Sequence, residues 1–124
     1  MPVSALLGRR LLIVEDDYFW AEELRRGLQG AGAVVLDPVA SVEAALNVLG
    51  SQIAVDGATL NIKLRDERAF AVADRLLVRA VPFLFVTGYD QLALPAFYAA
   101  LPRLEKPASV DAVLRGMDAL LPAA

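Results

Sequence analysis

The chain has 124 residues, of which 57% are hydrophobic, and a formal net charge of −3. That length suits one domain with one core, and the absence of a basic patch argues against direct contact with nucleic acid. Cysteine and histidine are both missing; disulfides, thiolate zinc sites, cysteine nucleophiles and serine–histidine chemistry are therefore excluded, and any metal must be held by oxygen alone, as a hard cation such as magnesium is.

The first predicted element is a buried strand, Leu11-Leu12-Ile13-Val14, which stops at Glu15-Asp16-Asp17. A helix follows, with Trp20 (or Ala21), Leu24 and Leu28 on its inner face and Glu22, Glu23, Arg25 and Arg26 outside. Gly30 and Gly32 end it. Ala33 to Leu36 reads as a second strand. Ser41 caps the next helix, whose apolar face is Val42, Ala45, Leu46 and Leu49, and Gly50-Ser51 closes it. The third strand is expected over Ile53 to Leu60, then a helix from about Glu67 to Arg79. Phe83 to Val86 is a fourth strand that stops at Thr87-Gly88. A short helix lies between Tyr89 and Ala100, where Pro95 and Pro102 restrict the chain, and a brief strand lies at Arg103-Leu104. Lys106-Pro107 follows, and Ser109 caps a last helix through Val110, Val113, Leu114, Met117 and Leu120-Leu121.

Strands alternating with helices predict a parallel sheet covered on both faces, and strands that are apolar throughout agree with that. In such open sheets the working site lies beyond the carboxyl ends of the strands. Those ends deliver an acid pair (Glu15, Asp16), an amide (Asn61), a hydroxyl (Thr87) and an ammonium (Lys106). A charge after any one strand is ordinarily a solvated loop end; four strand ends with four different polar functions point to one crevice. No apolar run approaches the roughly 20 residues of a membrane span, and the start lacks the layout of a secretory signal, so a cytoplasmic protein is expected.

In Leu12-Ile13-Val14-Glu15-Asp16-Asp17, Asp56 to Leu64, Pro82 to Tyr89 and Leu104-Glu105-Lys106-Pro107, the chain resembles the receiver domain of two-component response regulators over nearly its whole length. The resemblance implies a flavodoxin-like (βα)5 three-layer α/β sandwich with a parallel five-stranded sheet of order 2-1-3-4-5. It implies that Glu15 and Asp16 hold magnesium and that Asn61 stands where the family has its phosphate-accepting aspartate. It further implies that Thr87 is the switch hydroxyl, and that Lys106 contacts the acceptor and the phosphoryl oxygens. Phosphoryl transfer is mostly positioning and charge neutralisation, which is why a cation and an ammonium surround the transferred group.

Three residues depart from that pattern. Asn61 removes the nucleophile and one negative charge. Lys63 stands where relatives often carry an uncharged side chain; together with Asn61 it shifts the local charge by two positive units, and a lysine about 4 Å from a metal would cost roughly 4 kcal/mol at an effective dielectric near 20. Lys63 is either a built-in cation pairing with Asp16 or Glu15, or a solvated loop lysine. Arg103 occupies the place of a switching aromatic. Around the pocket, Phe19 is expected at its mouth or at a partner surface, Trp20 in the core and Tyr89 at the rim.

The expected function is a stand-alone receiver-like signalling domain with no output domain and no enzyme activity. It acts by protein–protein contact with a histidine kinase or other signalling protein, self-associates through its last helices and strands, and requires no cofactor, with magnesium bound weakly at most. The alternatives are phosphate acceptance at Asp16, Asp17 or Thr87, an engineered aspartate-to-asparagine exchange, slow deamidation of Asn61, and a small-ligand flavodoxin-like domain. The last fits poorly, because the loop after the first strand is acidic where a phosphate cradle wants glycines.

Overall fold

The computed structural model describes residues 4–88 and 94–122. Along the chain come β1 (Arg10–Val14), α1 (Tyr18–Gly30), β2 (Val34–Val35), α2 (Val42–Gly50) and β3 (Gly57–Leu60). Then follow β4 (Lys63–Leu64), β5 (Glu67–Arg68), α3 (Phe70–Val78), β6 (Phe83–Thr87), α4 (Ala96–Ala99), β7 (Arg103–Glu105) and α5 (Val110–Leu120). The main sheet runs β2-β1-β3-β6-β7, and every pair in it is parallel. Counted by main-sheet strands alone, this is the expected 2-1-3-4-5 order. β4 and β5 form a separate antiparallel hairpin.

The apolar strands are explained by a core on each side of the sheet. Alternate residues point to opposite faces. Leu12, Val14, Ala58, Leu60, Phe83 and Phe85 pack with Ala45 and Leu49 of α2 and with Val72, Ala73 and Leu76 of α3. Leu11, Ile13, Leu84 and Val86 pack with Ala21, Leu24 and Leu28 of α1 and with Val113, Met117 and Leu121 at α5. Burying a leucine-sized side chain contributes about 1.5–3 kcal/mol, so each layer is held by several such terms. α1 and α5 approach so closely that a Cβ at Gly27 would collide with the Val110 side chain. Glycine is required there for the packing and not for its backbone freedom.

Three helices start on the side-chain caps that sequence chemistry favours. Asp17, Ser41 and Ser109 accept hydrogen bonds from the backbone N–H groups of Trp20, Ala44 and Ala112. α3 has no side-chain cap. It begins at Phe70 and not near Glu67, because Glu67 and Arg68 are drawn back into the hairpin with Lys63 and Leu64. β3 begins at Gly57, later than Ile53: Ile53 and Ala54 are exposed, and the Asp56 carboxylate instead accepts from the Arg10 N–H at 2.8 Å. Trp20 is half-buried, and Ala21 takes the fully buried place. Leu76 of α3 is buried, while its neighbour Leu77 is exposed. Tyr89 and the start of the expected helix after it lie outside the described residues.

Candidate functional site

The strands bring the polar residues together at their carboxyl ends. β1 delivers Glu15, whose N–H donates to the Val39 carbonyl at 2.9 Å and whose residue is only 4% exposed. Next to β1, the Asn61 N–H donates to the Val14 carbonyl at 2.9 Å, so the sheet ladder itself sets the position of the amide; Asn61 is 8% exposed. From β6, Thr87 is 1% exposed, and its carbonyl accepts from the Lys106 N–H at 2.9 Å. That bond sets Lys106 at the end of β7, before a cis peptide to Pro107.

The side chains form one connected network. The Lys106 ammonium reaches Glu15 Oε1 at 2.6 Å. Asn61 Nδ2 donates to Glu15 Oε2 at 3.0 Å and, at the longer distance of 3.4 Å, to Asp16 Oδ1. Carboxylates only accept, so the amide must turn its nitrogen towards them. The Asp17 N–H adds a second bond to Glu15 Oε2 at 3.0 Å, and the Arg65 N–H donates to Asp16 Oδ2 at 2.9 Å. Arg65 can do so because it sits at the hairpin tip with a φ of 57°, in the left-handed region.

The two acids respond differently to this setting. Burial pushes the Glu15 carboxyl above its ordinary range, against hydrogen bonds from Lys106 and the Asp17 N–H that pull it down. Asp16 lies below its ordinary range: burial works upward here too, but the Arg65 N–H and its other hydrogen bonds outweigh it. The acid pair thus shares one cation and four N–H contacts.

The structure gathers Glu15, Asp16, Asn61 and Lys106 into direct contact and sets Thr87 beside them on β6. Lys63 is exposed, and its backbone pairs with Arg68 in the hairpin; among the described residues it makes no ion pair with Glu15 or Asp16. Arg103 donates to the Ala99 carbonyl at 3.1 Å, at the end of α4. Phe19 is 77% exposed and, with Trp20, Glu23, Pro107 and Ala108, lines a groove of about 490 Å³ next to Lys106. A second cavity of about 240 Å³ opens between Asp16, Tyr18, Glu22, Pro38 and Arg65. The role of Arg65 was not visible in the sequence, because its contribution is a backbone donor. The one available signal was the charged run Arg65 to Arg68, which carries no apolar residue and so breaks the helical pattern.

Among the described residues no group of three or more acidic side chains gathers to hold a metal; a hard cation at this crevice would have to draw on the acid pair. The donors available there are Glu15 and Asp16, with Asn61 turning its nitrogen inward.

Neither a family model nor a curated protein sequence matches the chain. Solved structures do. A response regulator receiver domain protein (CheY-like) from Methanospirillum hungatei JF-1 matches with a TM-score of 0.80 at 23% identity, over 90% of this chain and 92% of that one. The non-phosphorylated HemR receiver domain from Leptospira biflexa matches at 0.76 and 26% identity, over 94% and 96%. A response regulator receiver domain (CheY-like) from Methylobacillus flagellatus matches at 0.73 and 26%, over 91% and 98%. The parallel sheet, its order and the crevice at the strand ends, set beside these likenesses, give the chain the flavodoxin-like fold of CheY-like response regulator receivers.

Proposed function

We propose that this chain is a receiver-like signalling domain of a two-component or phosphorelay system that works by protein–protein contact, without phosphorylation at the end of β3. The carrying observation is the Asn61 amide. It stands at the strand end facing the acid pair, and its nitrogen is engaged with Glu15 and Asp16. A neutral amide is a very poor nucleophile towards phosphorus, and this one is already committed as a donor.

The partner in this reading is a histidine kinase or another signalling protein. The groove beside Lys106 supports it: exposed Phe19 and the flanking Pro107 offer apolar contact area at the rim of the site. A partner that binds one conformation of the domain better than another would shift it without any phosphate.

The test is incubation with a small-molecule phosphodonor and magnesium, followed by intact mass measurement. The expected result is no stoichiometric gain. A gain of one phosphate per chain would overturn the reading, and peptide mapping would then place it on Asp16, Asp17, Thr87 or elsewhere.

A further inference from the structure

The receiver resemblance implies a magnesium ion at the acid pair, but the bonding of that pair leaves no room for one. Each of the four carboxylate oxygens already has a donor from the chain. Glu15 Oε1 takes Lys106 Nζ at 2.6 Å, and Glu15 Oε2 takes Asn61 Nδ2 and the Asp17 N–H, both at 3.0 Å. Asp16 Oδ1 takes Asn61 Nδ2 at 3.4 Å, and Asp16 Oδ2 takes the Arg65 N–H at 2.9 Å. One atom, Asn61 Nδ2, lies within reach of both carboxylates.

Magnesium demands near-octahedral oxygen ligands at about 2.0–2.1 Å and gives up its own waters reluctantly. The side chains here offer it two carboxylates, one of them already neutralised by an ammonium, and an amide that presents nitrogen. Turning the amide to present oxygen would set a lone pair against Glu15 Oε2 at the 3.0 Å now spanned by a hydrogen bond. The residues present therefore do not fit a resident divalent cation.

We infer that the Asn61 side chain is the internal substitute for that cation. Its amide bridges Glu15 and Asp16, ties the end of β3 to the loop after β1, and leaves the acid pair without measurable affinity for magnesium. This holds whether or not phosphate enters the chain at another residue, and it is tested without any phosphodonor.

The experiment is a magnesium titration of the EDTA-treated chain, read by thermal unfolding and by the fluorescence of Trp20, the single tryptophan, which lines the groove beside Lys106. The unaltered chain should show neither a shift in midpoint nor a saturable fluorescence change through the millimolar range. Asn61→Asp should unfold at lower temperature in EDTA and recover along a saturable magnesium curve. Its magnesium midpoint should lie at least about tenfold below the highest concentration to which the unaltered chain makes no response, the effect of one added carboxylate charge close to the ion. A saturable response in the unaltered chain overturns the inference, as does an Asn61→Asp chain that folds equally well in EDTA and ignores magnesium. Should Asn61→Asp not fold at all, Asn61→Ala decides. A lower midpoint in EDTA together with a magnesium response supports the bridge, and an unchanged midpoint removes it.

Discussion

The strand-end site and the α3–α4 region are both held by side-chain contacts, but in opposite ways. At the strand ends, Glu15 and Asn61 are buried, their backbones are fixed by the sheet, and each polar group meets a partner supplied by a different strand or loop. α4 is a single turn with no buried residue and no side-chain cap. It is fastened from outside: Tyr98 stacks on Phe70 with ring centroids 4.5 Å apart, and its hydroxyl donates to Asp74 at 2.6 Å. The domain can therefore change shape more readily at α4 than at the strand ends. A network built on adjacent parallel strands cannot relax without disturbing the sheet, whereas a single turn held by the Tyr98 clasp, the Arg103 bond to the Ala99 carbonyl and partial packing of Tyr98 and Ala99 on the core has fewer ties to break.

The strand-end network should respond most strongly to substitution. Lys106→Met leaves the Glu15 carboxylate buried without its cation. Removing one partner of a buried pair costs about 3–5 kcal/mol, and the 27% exposure of the Lys106 side chain reduces this to about 2–3 kcal/mol, measurable by urea unfolding. Asn61→Ala deletes one donor nitrogen facing two acceptors and should cost about 1–3 kcal/mol in EDTA by the same method. Tyr98→Phe keeps the stack and removes only the bond to Asp74. It should cost about 0.5–1 kcal/mol while raising amide exchange around α4 and leaving exchange at Asn61 unchanged. Exchange rising at both places would mean that the two regions are coupled and not independent.

The smallest effect is in pH. Glu15 binds its proton more tightly folded than unfolded, so its contribution to stability is fully present below about pH 4.5 and falls as pH rises through its higher folded value. Asp16 is the reverse: its contribution is present above about pH 3.8 and is lost as pH falls through its lower folded value. Denaturant unfolding between pH 4 and 7 should show a shallow decline with rising pH that Glu15→Gln flattens. An unchanged slope in that variant would place the proton uptake elsewhere.

Much of this was legible in the sequence, for local reasons. Strands apolar at every position require cover on both faces, and a polar residue directly after such a strand must sit at its carboxyl edge; that reasoning put Glu15, Asp16, Asn61, Thr87 and Lys106 at one rim. Ser41 and Ser109 marked helix starts because capping is a matter of a few residues. What escaped was contact between distant positions and contact made by the backbone. Nothing near Tyr98 announces Asp74, 24 residues earlier. The hairpin of Lys63-Leu64 with Glu67-Arg68 took two residues from the expected third helix, because four charged side chains in a row have no core to face. The direction of the Lys63 side chain was open in the sequence for the same reason: it depends on the hairpin and not on Lys63 itself.

The left-handed backbone at the hairpin tip has a consequence for how this site can drift. Asp16 reads the N–H of residue 65 and takes nothing from the arginine side chain that follows it. The acid pair is therefore blind to the chemical identity of that position and sensitive only to its conformation. Glycine or asparagine would present the same N–H with less steric strain, of the order of 1–2 kcal/mol for a side chain held in that region. Position 65 is thus free to acquire or shed charge at the edge of the cavity between Tyr18, Glu22 and Pro38, and can retune what approaches the site while the network beneath it stays intact.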